Sequence, residues 1–353
     1  MALIQELLRI AVTAPSGDNC QPWRFDWNEP VLSIWNRPDR DASLYNARQR
    51  GSHIANGALI ENIRITAPTL GLKVSKIQIF PKGVHSDLIA NISFIPQQPE
   101  TQLLSSFIAK RATNRKRFTK NAISPSSLNE LMGASRSKEC EFIILENSKA
   151  IETAANAVAQ NDLVLFGNQT MHDLLFGLIR WQEKEPLEST IGLPTRTLEV
   201  PSYGMPIFRL MRSYTVTRIL LAMGISRILI HENAKTYRSC GAIAALTIEN
   251  DSPESMVSLG QIFQRLWLTA TAQKLQFQPL MGIVFLQKFL DDGNSDPLTP
   301  AQIDIIKIAH QQLRTIFSVP ENRILGAIFR IGYGEEPSER TGRDEPELSI
   351  IQK

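Results

Sequence analysis

The segment Arg111-Ala112-Thr113-Asn114-Arg115 sets two guanidiniums and a hydroxyl on alternate positions. Arginine forks hold phosphate oxygens in pairs, so this spacing suits a phosphate dianion. Lys110, Lys116 and Arg117 add positive potential. Alone, such a cluster also fits an ordinary solvated surface. A second stretch, Ala14-Pro15-Ser16-Gly17-Asp18-Asn19-Cys20-Gln21-Pro22-Trp23, ends a helix in a turn. Small polar groups and backbone amides gather there, and a flat ring or a hydroxylated chain can lie against them. The plainer reading is a Pro-rich turn over a buried Trp. Two weaker signals lie downstream. Pro279-Leu280-Met281-Gly282 offers backbone amides after an apolar helix. Arg330-Ile-Gly-Tyr-Gly runs from a strand into a turn that presents Arg340 and Arg343.

The chain that must position these groups has 353 residues, enough for two domains or one large one. Hydrophobic residues at 43% and charged residues at 21% exclude a disordered, collagen-like or disulfide-scaffold chain. A net charge of +3 lacks the dense basic face of a nucleic-acid binder. No leader and no apolar run long enough for a membrane span is expected. Cys20, Cys140 and Cys240 are far apart and show no paired spacing, so reduced thiols in a cytoplasmic protein are expected. Cys20, inside the polar turn, reads as a small buried filler rather than a redox group. The histidines His53, His85, His172, His231 and His310 have no metal-ligand spacing. No Gly-x-Ser-x-Gly, P-loop or Gly-x-Gly-x-x-Gly motif occurs.

Apolar periodicity predicts a helix over residues 2–12, a hairpin of Trp23–Trp27 and Val31–Trp35, and a helix over 51–72. Strands follow at Val74–Phe80 and Leu88–Phe94, then a helix at Thr101–Lys110. Ser124-Pro125 opens another helix, and Glu141–Leu145 reads as a strand. Residues 151–232 are expected to be mostly helical, broken by the Pro-rich stretch Leu193–Pro206. A basic amphipathic helix over 207–231 carries Arg209, Arg212, Arg218 and Arg227. Packing against the core or a dimer partner is favoured over a membrane surface. Ala242–Ile248 and Ile324–Ile331 read as strands, Gly260–Leu275 and Pro300–Phe317 as helices, and Gln278–Leu286 as extended. Trp267 and the tryptophan strand are expected in the core.

Two of these helices repeat one pattern. Gly57–Leu72 aligns with Gly260–Leu275 at a constant offset of 203 residues, matching at Gly, Thr-Ala and the final Leu. A true repeat would make the chain two related halves in tandem, one covalent chain imitating a two-fold dimer. Chance likeness of two amphipathic helices is the alternative.

The turn sequence resembles the Ala-Pro-Ser-x-x-Asn-x-Gln-Pro-Trp signature of the flavin-dependent nitroreductase superfamily. Arg111–Arg115 is similar to that superfamily's Arg-x-Ser-x-Arg phosphate motif, with Thr113 in place of Ser. Pro279–Gly282 resembles the Pro-x-x-Gly stretch beside the reactive edge of the flavin, and the tail resembles the segment whose basic residue closes over the flavin phosphate. The order of motifs is inverted relative to an ordinary member, and each half keeps one part of a site. The layout resembles the Acg-like branch, in which a single chain mimics the dimer.

The resemblance covers most of the chain and is weakest over 151–240. It implies an α+β nitroreductase fold: two related halves in tandem, with central antiparallel sheets flanked by helices. The first half would span 1–105. The second would span 106–353, with a helical insertion at about 151–235 whose residues 182–232 would form a lid. It implies one FMN site per chain, held by Pro15, Ser16, Asn19, Gln21, Arg111, Thr113, Arg115, Leu280, Met281, Gly282, Arg343 and, second to it, Arg340. No protein nucleophile is required, because FMN carries the electrons. Three functions stay open: an oxidoreductase passing electrons from NAD(P)H to a small electrophilic acceptor, a non-enzymatic FMN store, and an interaction module that has lost its flavin. Further dimerisation is compatible with all three.

Overall fold

The computed structural model describes residues 2–181 and 190–351. Its first half begins with α1 (Ala2–Ala11), then the hairpin β1 (Trp23–Asn28) and β2 (Val31–Asn36). The helix α2 (Arg50–Thr66) follows, then β3 (Leu72–Ile79) and β4 (Leu88–Pro96). In β1 the period of two buries Trp23, Phe25 and Trp27 and leaves Arg24, Asp26 and Asn28 half-exposed. After Thr66 the chain tightens into a 3-10 turn, Ala67–Leu70, where Pro68 cannot donate to a continuing helix, and Gly71 closes it at φ 74°. The helix expected to run to residue 72 therefore stops at Thr66.

A short α3 (Ser105–Ile108) is all that forms of the helix expected over Thr101–Lys110. Leu103 is 74% exposed and has no core to pack on, so the apolar pattern there recruits no helix. The second half opens with α4 (Pro125–Ala134), capped by the Ser124 hydroxyl on the Ser127 amide, and β5 (Cys140–Leu145). Then come α5 (Ser148–Gly167), α6 (Gln169–Leu178), the short parallel pair β6 (Ile179–Arg180) and β7 (Leu193–Pro194), α7 (Met205–Leu210), α8 (Tyr214–Ala222) and α9 (Ile225–Tyr237). The single basic helix expected over 207–231 is thus three helices. Gly224, left-handed at φ 90°, ends α8 and starts α9. The lid expected over 182–232 includes residues 182–189, which lie outside the described residues.

The chain then forms β8 (Ala242–Ile248), α10 (Pro253–Ala272), β9 (Gln276–Pro279), α11 (Gly282–Asp291), α12 (Pro300–Ile316), β10 (Ile324–Gly332) and β11 (Leu348–Ile350). Residues 278–286, expected to be extended, split between the end of β9 and the first turns of α11. A capping box of Thr299 and Gln302, with Pro300 in the first turn, starts α12.

Strand order shows the repeat at the level of topology. One sheet runs β11-β1-β2-β4-β3 and the other β5-β8-β10-β9. Without β11 the two orders coincide, and every pairing within them is antiparallel. The chain path coincides as well, since helix, strand, strand, helix, strand, strand serves both halves. The second half inserts α5–α9 where the first has the turn Glu29-Pro30, and α11–α12 where the first joins β3 to β4. The fold is α+β, two related halves in tandem. Two pairings depart from the expected antiparallel sheets: β6 with β7, and the C-terminal β11, which adds to β1 in parallel and ties residues 348–350 to the first half. Every residue of β8 is buried; Ala244 and Leu246 enter one core and Ile243 and Ala245 another.

The halves meet where α2 crosses α10. Gly57 and Gly260 lie at the crossing, and neither position has room for a Cβ. At Gly57 it would overlap the Val257 carbonyl, and at Gly260 the Ile54 carbonyl. Glycine lets the two backbones touch.

Candidate functional site

The Arg111–Arg115 segment is held from beneath. Asn114 is fully buried and donates to Gln276 Oε1 at 2.8 Å and to the Glu335 carbonyl at 2.7 Å. Its amide bonds the Phe277 carbonyl on β9 at 3.0 Å. Arg330, also fully buried, donates to the Lys116 carbonyl at 2.5 Å and the Asn114 carbonyl at 3.5 Å. It also bonds Gln278 Oε1 at 2.7 Å and lies 4.0 Å over the Phe118 ring. Burial pulls its pKa down to about 10. With Asn114 fixed inward, Thr113 and Arg115 line cavities on the other side of the segment.

Two adjoining cavities occupy that side. The larger, about 390 Å³, is mainly apolar, with Ile54, Leu175, Phe263, Trp267, Met281 and Phe285 among its walls and Asp41, Ser43, Tyr45 and Asn161 as a polar flank. The smaller, about 230 Å³, is basic, with Arg111, Arg115, Arg340 and Arg343 in its wall. Pro15, Ser16, Asp18, Thr113, Arg115 and Leu193 line both. An apolar chamber thus opens into an arginine-rich one at the place where the Pro-Ser turn after α1 meets the arginine motif that precedes α4.

The expected site residues divide as follows. Pro15, Ser16, Thr113 and Arg115 stand at the junction, Met281 and Gly282 in the apolar chamber, and Asn19, Arg111, Arg340 and Arg343 in the basic one. Gln21 and Leu280 line neither. Gln21 accepts from the Asp344 amide at 2.9 Å and donates to Thr190 Oγ1 at 3.0 Å, pinning the turn to the tail and to the stretch after residue 190. Leu280 is buried in the core under β8 and α5.

The arginines are not equivalent. All three guanidinium nitrogens of Arg343 are engaged, with the carbonyls of Val12, Thr13 and Ala14 among their acceptors. Those carbonyls follow α1, so Arg343 straps the end of that helix. Arg340 pairs with Glu336 at 2.8 Å and is half-exposed. Arg111 is buried and stacks 4.5 Å over Trp267. It bonds the Thr13 carbonyl at 2.8 Å, and its Nε has no partner. Burial first, then Arg343 and Arg340, depress its pKa to about 9. Arg115 is likewise lowered by burial, with Asp18 opposing the shift. Asn19 donates to the carbonyls of Thr190 and Gly342 at 2.7 and 3.2 Å, which leaves its buried Oδ1 unpartnered. Buried like charges and orphaned polar atoms cost stability unless an anion and hydrogen-bond donors meet them.

Several wall residues had weak or no sequence signals. Trp267 was expected in the core, and it both packs there and faces the chamber. Asp18 sits in the motif at φ 45°, and burial, then Asp41, raise its pKa. Tyr45 donates to Asn161 at 3.0 Å across a contact no local pattern announces. The thiol of Cys20 is buried, and desolvation followed by Asp41 and Asp18 pushes its pKa far up, which disfavours the reactive thiolate. Among the described residues no cluster of three His, Cys, Asp or Glu could hold a metal, and no helix is long and apolar enough to cross a membrane.

No family model matches the chain. It is 22% identical to an uncharacterized protein of Mycobacterium tuberculosis over 305 residues, 86% of this chain and 42% of that protein. The chain therefore spans about two-fifths of that relative. Another M. tuberculosis protein, named "Putative NAD(P)H nitroreductase", is 24% identical over 82% of this chain and 78% of its own length. Among solved structures, a nitroreductase with bound FMN from Desulfitobacterium hafniense is similar at 12% identity and TM-score 0.38, covering 72% of this chain and 100% of that one. The FMN-dependent nitroreductase of Mycobacterium smegmatis in complex with NADPH is similar at 14% identity and TM-score 0.38, covering 69% of this chain and 94% of that one.

Proposed function

We propose that the chain is an FMN-dependent oxidoreductase of the nitroreductase superfamily, a single-chain pseudo-dimer of the Acg-like kind with one flavin site. The observation that carries this reading is the junction of the two cavities: a flat apolar group in one can continue into a phosphate in the other. The residues present fit FMN. Arg111 has a buried Nε without a partner, Arg115 lines the same basic chamber, and the Asn19 Oδ1 can accept from a hydroxyl.

In this reading Arg111, Thr113 and Arg115 hold the phosphate, and Arg340 adds charge at the rim. Arg343 fixes the α1 terminus and thereby the Pro-Ser turn, while its charge still faces the basic chamber. Pro15, Ser16 and Asn19 border the ring and ribityl chain from the first half, and Met281 and Gly282 from the second. Gln21 and Leu280 position this wall without touching the ligand. Bound FMN supplies hydride and electron transfer. NAD(P)H as donor and a small electrophile as acceptor complete the cycle.

In this reading the mirror site is lost. Shifted by the 203-residue repeat, Ile54 becomes Val257 and Phe263 becomes Ile60. Both counterparts are shut inside the first core.

A second reading, an FMN store, draws on the cover over the chamber. Met171, Leu174, Leu175 and Leu178 of α6, with Leu193 and Leu198, line its apolar side. One experiment separates the two. The full chain is loaded with FMN, given NADH or NADPH without oxygen, then offered a small quinone. Bleaching and repeated turnover establish the enzyme. Flavin uptake with no bleaching establishes the store. No uptake overturns both.

A further inference from the structure

We propose that the outer faces of α7, α8 and α9 form a docking surface for an anionic phospholipid membrane. The surface is built by helix periodicity. On α8, Thr215, Arg218, Ile219 and Ala222 are exposed, at the spacing of a single face, while Thr217 is buried beneath. On α9 the exposed set is Arg227, Ile228, His231 and Lys235. Both helices rest on α5, so these faces turn away from a common support. Ile207, Arg209 and Leu210 are exposed on α7, and Tyr203 just before it.

Large apolar side chains of these helices stand open to solvent. Met223 is 76% exposed and Ile228 is 60%. Scattered singly they would mean little; here they are interleaved with arginines along one segment. From Val200 to His231 the sequence has four arginines and no Asp or Glu. The acids that flank the segment are already paired, Glu199 with Ser338 at 2.6 and 2.8 Å and Glu232 with Arg117 at 2.8 Å and Lys235 at 3.5 Å. Arg212 is partly used too, lying 4.8 Å over the Trp181 ring. Arg209, Arg218 and Arg227 remain at the surface.

Charge selects the occupant. A second copy seated symmetrically would bring arginines against arginines, with no acid within Val200–His231 to pair them. A nucleic acid would meet the arginines but gain nothing from Ile219, Met223 and Ile228. An anionic bilayer satisfies both sets at once: headgroup phosphates take the guanidiniums, and the apolar tips enter the interface. Because no described helix is long and apolar enough to span, the attachment is peripheral.

The test is flotation of the full chain with vesicles of phosphatidylcholine alone or mixed with phosphatidylglycerol. The expected result is binding to the mixed vesicles only, weakened by raising salt to about 0.5 M. Arg218→Gln with Arg227→Gln should lower that binding by about thirtyfold. Ile219→Ser with Met223→Ser should also lower it, with the melting temperature unchanged, since these side chains touch little. Equal binding to both vesicles, no binding, or binding untouched by either double variant overturns the proposal. So does a dimer in light scattering that Ile219→Ser with Met223→Ser abolishes while vesicles are ignored, or retention by single-stranded DNA alone. None of these readouts depends on flavin.

Discussion

Glu61 on α2 accepts a hydrogen bond from Arg265 Nε on α10 at 2.6 Å, and one residue along each helix Gln264 donates to Asn62 Oδ1 at 2.7 Å. The 203-residue shift that carries Gly57 onto Gly260 also carries Glu61 onto Gln264 and Asn62 onto Arg265. The two contacts are therefore one contact made twice about a two-fold axis, with different chemistry on each side. Two-fold interfaces are built this way, each patch meeting its own copy. Here both copies lie on one chain, free to diverge.

Removing the cation from the Glu61 pair should be costly. Glu61 is buried, and Arg265→Ala leaves its carboxylate with only Arg64 at 3.6 Å. We expect a loss of about 3 kcal/mol in urea unfolding. Restoring polarity on neutral terms, with Glu61→Gln and Arg265→Gln together, should recover most of it. Additive losses in the double variant would show that the pair is not coupled.

Gly57→Ala and Gly260→Ala should each destabilise by about 2 kcal/mol or more, because the obstacle is backbone carbonyl rather than a movable side chain. Gly133→Ala, on open surface, serves as the control, with a change near zero or slightly stabilising. Equal melting temperatures for all three would contradict the crossing geometry.

Asp162 predicts a pH dependence. Burial raises its pKa to about 6, against the pull of its partner Asn233 at 2.7 Å. The folded state therefore keeps a proton that the unfolded chain releases near pH 4. Its contribution to stability falls as pH rises from about 4 to about 6 and is level above. Asp162→Asn should remove that fall, gaining up to ~3 kcal/mol relative to wild type at pH 7 and little at pH 4. His53, whose folded pKa is lowered by burial to about 4, acts oppositely in that range, and the wild-type-minus-variant difference cancels it. A difference that does not vary with pH would remove the claim.

The pattern of what the sequence disclosed is physical. Both motifs were legible because each is local: one is a turn with Pro, Gly and Asn in order, and the other sets two arginines four apart with a hydroxyl midway between them. The repeat was legible at α2 and α10 because glycine there is dictated by backbone contact. The matching strand order was not, since the second half carries insertions between equivalent strands. Arg330 stood in the sequence as the start of a tail motif, and only the fold shows it gathering carbonyls beneath Asn114. Arg343 could not be told from Arg340 by spacing, because the difference is which one reaches the end of α1. The long basic helix failed twice, between Leu210 and Tyr214 and again at Gly224, a left-handed residue within an apolar period.

If Arg111 and Arg115 grip a phosphate, the discrimination between FMN and riboflavin should depend on them. Arg111→Ala with Arg115→Ala should weaken FMN binding by several kcal/mol and leave riboflavin affinity nearly unchanged. Arg330→Met should weaken FMN less, by loosening the loop. Riboflavin and FMN bound equally by wild type would dismiss the basic chamber as a phosphate site.

Calorimetric titration of the flavin-free full chain with FMN tests the single-site pseudo-dimer most directly. One FMN per chain, lost in the Arg111→Ala and Arg115→Ala variant, is the predicted result. Two per chain would mean that the mirror site survives. No binding by a folded chain would mean that the two chambers serve another ligand.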